Sequence, residues 1–121
     1  MGILIENEKH LFDFKQMEQV AAGSDEFLAA MSQVYLDTIP DVSNQLVQAT
    51  NSGKWPVASK LAHRLKSTID SLNMHSIKSD IRAIEIDSKN QVNAEAVRLL
   101  ALKVDEVITA VANQLKVDFD L

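Results

Sequence analysis

The sequence predicts an all-α fold, an up-and-down antiparallel four-helix bundle with an additional N-terminal helix, and three observations lead to it. The 121 residues include only three glycines and two prolines, so little interrupts a regular backbone. Apolar residues recur at spacings of three and four almost throughout, with no convincing strand and no internal repeat. The connections between the apolar stripes are short, which makes successive helices antiparallel neighbours.

The elements follow in order. Residues 6–22 place Leu11, Phe14, Met17 and Ala21 on one face, and Gly23 ends that helix. Ser24 or Asp25 can cap the next, whose stripe runs Leu28, Met31, Tyr35, Ile39, Val42, Leu46 and Ala49. The stripe continues straight through Pro40. One long helix kinked there is expected, because proline removes a hydrogen bond without reversing the apolar face; two helices with a break is the alternative. The stretch "NSGK" is a turn, and Trp55-Pro56 opens a helix with Ala58, Leu61, Ala62, Leu65, Ile69 and Leu72 inward. Asn73 follows, a residue that tolerates the left-handed conformation common at helix ends. A fourth segment carries Met74, Ile77, Ile81 and Ile84. The last runs from about Asn93 with Val97, Leu100, Val104, Val107 or Ile108, Val111 and Leu115. Residues 1–23 are read as a helix packing on the bundle, and 24–121 as the bundle itself, in one domain. Met17, Met31 and Met74 fall on the stripes and are expected in the core, and Trp55 as a packing anchor.

Composition bounds the function. Net charge is −5, the sign opposite to that of a generic nucleic-acid binder. The absence of cysteine rules out disulfides and thiolate metal sites. No apolar run approaches the roughly 18 residues of a membrane span. The N-terminus has no basic region of the secretory kind, and Glu6 stands where a myristoylation signal wants Ser or Thr. A cytoplasmic, non-membrane domain is the expectation. Metal-binding bundles use Glu-x-x-His pairs, but Asn7, Lys60 and Leu72 precede His10, His63 and His75 by three, so no metal site is expected. His10 is read as packing and His75 as solvated surface.

The charge is unevenly spread. Segment 54–72 contains Lys54, Lys60, Arg64 and Lys66 against Asp70, a net +3 that leaves −8 for the rest. With the third helix centred on Leu65, His63 lies about 160° away, on the outer face, and Ser67 about 40° round from it. An exposed histidine among lysines is usually a solvated residue. Here the surrounding cations suit an anion, and Glu85, about 40° from the centre of the next helix's stripe, is a carboxylate that needs a partner. On the Nδ1 side of His63 it would fix the tautomer and leave Nε2 free as a nucleophile.

These residues resemble the histidine-containing phosphotransfer (HPt) domain family of phosphorelays. Ala62, His63, Leu65 and Lys66 match its Ala-His-x-Leu-Lys-Gly motif, Leu72 matches further on, and Ile84-Glu85 fits its Leu-Glu. Phe27-Leu28, Pro40 in mid-helix, and Gly53 with Trp55 in a turn are similar too, so the resemblance spans about residues 24–115. It implies that His63 takes a phosphoryl group from a receiver-domain phospho-aspartate and passes it to another receiver, those of response regulators and hybrid histidine kinases. It further implies that Lys66 pairs with phosphate oxygens, that Glu85 orients the imidazole, and that the domain, often a monomer, carries no nucleotide or metal, the receiver bringing Mg²⁺. Lys60, Arg64, Ser67 and Asp70 are expected to meet the receiver. Three positions depart from the family: Ser67 and Asn73 replace glycines, and Asp70 replaces a small residue and would repel a phosphate brought near it. Ser67 and Asp70 motivate a second reading, a helical module that binds receivers or kinases without taking phosphate.

Overall fold

The computed structural model describes residues 11–121. Its helices are α1 (Lys15–Ala21), α2 (Asp25–Asn51), α3 (Trp55–Ser71), α4 (Lys78–Asn90) and α5 (Ala94–Phe119), with one 3₁₀ turn, His75–Ile77, ahead of α4. There is no strand among the described residues. α2 packs on α3 and α5, α3 on α4, and α4 on α5, so helices adjacent in the chain are adjacent in space and α5 closes back on α2.

The stripes become the core. Leu46, Leu65, Ile69, Ile81, Ile84, Val104, Ile108 and Leu115 are fully buried. α2 runs unbroken through Pro40, as one helix rather than two. Ser24 starts it, its hydroxyl accepting from the Phe27 N–H at 3.2 Å and satisfying one of the donors that a helix N-terminus leaves unpaired. α3 ends in a Schellman motif: Met74 N–H donates to Ile69 O and Asn73 N–H to Asp70 O, with Asn73 left-handed at φ +49°. Trp55 lies half-buried at the start of α3 with the Arg98 guanidinium 5.6 Å from its ring centroid, so the turn at Gly53 is closed against α5.

The N-terminal helix departs from expectation. It begins only at Lys15, and Phe12 rather than Leu11 or Phe14 is the buried residue before it. Asp13 is the reason. Its carboxylate accepts from the Lys15 N–H at 3.0 Å, and its own N–H donates to Leu72 O at 2.8 Å, so the backbone is held out of the helix. The part of the expected helix at residues 6–10, and His10, lie outside the described residues. Two of the methionines also differ. Met74 is fully buried, but Met17 is only partly buried and Met31 is exposed, because seven-residue α1 is too short to cover that end of α2.

Candidate functional site

α3 and α4 lie side by side, and that contact builds the site. Leu65 and Ala62 face the core with no exposed surface, which turns His63 outward with 69% of its side chain exposed. On α4, Ile81 and Ile84 are buried, and Glu85, one residue beyond Ile84, comes to the seam between the helices. The Ser59 hydroxyl donates to the Glu85 carbonyl at 3.2 Å and ties the two backbones together one turn before His63.

Both oxygens of Glu85 are used. Oε2 lies 2.7 Å from His63 Nδ1, and Oε1 accepts from Lys66 Nζ at 2.8 Å. The Lys66 hydrogen bond holds the Glu85 carboxyl below the usual carboxylate range; partial burial opposes this and the His63 bond and both positive partners add to it. An ionised carboxylate can only accept, so Nδ1 carries the proton, and whenever the ring is neutral it is Nε2 that has the free lone pair. The geometry supplies an oriented, largely exposed imidazole.

The other expected residues occupy distinct surroundings. Lys60 and Arg64 are exposed beside His63. Lys60 and Lys89 lie on the edge of an open basin of about 440 Å³, lined also by Pro56, Ser59, His63 and Glu85, and neither lysine makes an ion pair among the described residues. Ser67 is exposed, its hydroxyl at 3.4 Å from Arg64 O within the helix, and it borders an apolar groove of about 190 Å³ between α1, α2 and α3. Met31 and Val34 of α2 line this groove together with Phe14 and Met17, as does Tyr35, whose buried hydroxyl donates to Ile108 O.

Asp70 does not present a free carboxylate, contrary to the expected repulsion of phosphate. Arg82 reaches across from α4 and donates to its Oδ2 at 2.7 Å. That bond, against partial burial and with the charges of Arg82, Lys78 and Lys66, holds the Asp70 carboxyl below its usual range. Arg82, Lys89 and the groove were missed from the sequence. A signal existed for Arg82: it stands three residues before Glu85 on α4, the spacing that puts two side chains on one helix face. His75 is exposed as expected, with Nε2 3.9 Å from Asp13. Among the described residues no group of three or more His, Asp or Glu is arranged to hold a metal ion, and no helix is long and apolar enough to cross a membrane.

The family model of the Hpt domain matches residues 30–114, more than half of the chain, spanning most of α2 through most of α5. No curated protein and no solved structure matches the chain.

Proposed function

The chain belongs to the Hpt domain family, a family of phosphotransfer modules of two-component signalling, and on that premise we propose that it is a phosphocarrier that takes a phosphoryl group on His63 Nε2 from the phospho-aspartate of one receiver and delivers it to another. The observation that carries the proposal is the Glu85–His63 Nδ1 distance of 2.7 Å on an otherwise exposed ring. Nε2 attacks phosphorus in line, the N–P bond forms as the aspartyl O–P bond breaks, and the receiver regains its carboxylate. The proton stays on Nδ1. Glu85 then faces the positive charge that develops on the phosphorylated ring, and it does so with no reorganisation at the moment of reaction.

Lys66 starts on Glu85 rather than free in solution. It orients the carboxylate before transfer, and its three donors let it contact a phosphate oxygen afterwards. Lys60 and Lys89 border the basin next to His63 and supply further positive charge for the phosphoryl group. Mg²⁺ and the acidic pocket come with the receiver; this chain contributes the nucleophile and the basic face. The receiver docks over Lys60, Arg64 and Ser67 and onto the apolar groove that starts at Ser67, one turn from His63. The carrier acts as a cytoplasmic monomer. The reading without phosphate loses one of its motives, because the Asp70 carboxylate is neutralised by Arg82.

The test is incubation with a panel of phosphorylated receivers, wild type beside His63→Gln. A gain of one acid-labile phosphoryl group by wild type alone is the expected result. Receiver binding of equal strength by both proteins, with no adduct from any donor that binds, would favour the interaction module instead.

A further inference from the structure

The groove next to the phosphoacceptor helix has one wall supplied from outside the four-helix bundle. Phe14 and Met17 come from the segment entering α1 and from α1, whose principal contact with another helix is with α2. Seven residues are too few to hold a helix in place without tertiary partners. What spans the gap to α3 is a polar latch. The Asp13 N–H donates to Leu72 O at 2.8 Å, and Asp13 Oδ1 accepts from Asn73 Nδ2 at 2.8 Å. Asn73 Oδ1 in turn accepts from Lys78 Nζ at 2.9 Å, so the amide is clamped between the arm and the start of α4. Burial disfavours the charged Asp13, but the Asn73 and Lys15 bonds and the nearby positive groups outweigh it and keep the carboxyl below its usual range. On either side of Asp13, Phe12 enters the core and Phe14 turns its ring to Phe119, with centroids 5.9 Å apart.

Asn73 therefore does two things at one position. Its left-handed backbone, φ +49°, ends α3, a task glycine performs with less strain. Its side chain does what no glycine can: it holds Asp13, and through it the Phe14–Met17 wall, at a set distance from the α3 rim. We infer that Asp13 and Asn73 are positioning residues for receiver docking, a latch that sets the width of the apolar groove onto which the receiver docks. This rests on the docking face proposed above.

The experiment uses the full chain and one receiver that phosphorylates it. KM and kcat for transfer are measured for wild type, Asp13→Ala, Asp13→Asn, Asn73→Gly and Val34→Asp, together with Tm and the rate of His63 phosphorylation by phosphoramidate, a donor too small to need the groove. Asp13→Ala and Asn73→Gly should raise KM about fivefold, the effect of one lost hydrogen bond, with kcat and the phosphoramidate rate within about twofold of wild type. Asp13→Asn keeps an oxygen for the Asn73 amide and should recover most of the affinity. Asn73→Gly relaxes the backbone, so its Tm should hold while its KM rises, a separation that a purely structural role would not give. If Val34→Asp raises KM and the latch variants do not, the latch inference is wrong and the docking face stands. If Val34→Asp leaves KM unchanged, the docking face is wrong and the latch inference falls with it.

Discussion

Replacing Glu85 separates what orients the imidazole from what merely packs beside it. Glu85→Ala removes two charge-assisted hydrogen bonds, at 2.7 Å to His63 and 2.8 Å to Lys66. Buried, each would be worth roughly 1.5–3 kcal/mol. The side chains are 69% exposed for His63, 29% for Lys66 and 21% for Glu85, so solvent screening cuts the His63 contribution to a fraction of that, and the Lys66 pair carries most of the remainder. The expected loss of stability is about 1–2 kcal/mol, a fall in Tm of roughly 4–10 °C for a domain of this size. The effect on transfer should be larger than the effect on stability. Without an acceptor at Nδ1 the ring samples both tautomers and rotates, and removal of a histidine-orienting partner typically costs about 10–100-fold where it has been measured at metal sites. Glu85→Gln supplies the control, since its amide oxygen still accepts from Nδ1–H but brings no charge to Lys66; transfer within about fivefold of wild type is expected. Single-turnover transfer from a phosphorylated receiver gives the rates, and ¹⁵N NMR of the imidazole gives the tautomer. An alanine variant that transfers at the wild-type rate with its proton still on Nδ1 would refute the reasoning.

Three further outcomes follow from the same geometry. Asp70→Ala should leave transfer within about twofold of wild type, because Arg82 already neutralises that carboxylate, whereas Arg82→Ala should slow transfer by leaving a bare negative charge beside Lys66; equal rates for the two variants would remove the shielding argument. Glu85 and Asp70 have folded-state pKa values below the ordinary 4.5 and 3.8, so the unfolded chain binds their protons first. Their contribution to stability is fully present above those ordinary values and is lost as the pH falls through the lower folded ones; the Tm difference between wild type and Glu85→Ala should shrink towards zero as the pH falls below the ordinary carboxylate range. Leu65→Ala, at a fully buried position on the inner face of α3, should cost about 2–5 kcal/mol by equilibrium denaturation and lower site occupancy only through the folded fraction.

Much of this was legible in the sequence because helical periodicity is a property of one element at a time. The positions that put Leu65 and Ile69 inward also put His63 outward, and Ile81 and Ile84 are buried where the spacing places them. The closeness of Glu85 to His63 could be anticipated from two helical faces and a short connection. What stayed hidden depends on how one helix sits along another. The Asp70–Arg82 pair requires the axial register of α3 on α4, which no single stripe encodes. Met31 lies on the correct stripe yet is exposed, since burial there needs a covering helix longer than α1. Residues 11–14 were misread because their apolar spacing suits a helix, while Asp13 offers the backbone another arrangement through Lys15 and Leu72. Asn73 was recognised as a tolerable helix end from its backbone preference; its side-chain role needed the distant Asp13 to be seen beside it.

The central claim is that Glu85 occupies Nδ1 of His63 and leaves Nε2 to form the bond to phosphorus. The measurement that tests it most directly is heteronuclear ³¹P–¹⁵N NMR on the imidazole-labelled protein after phosphorylation by a cognate receiver. A single phosphorus signal coupled to Nε2 of His63, with the proton retained on Nδ1, is the result the account requires. Phosphorus coupled to Nδ1, or an adduct that forms equally well in His63→Gln, would contradict it.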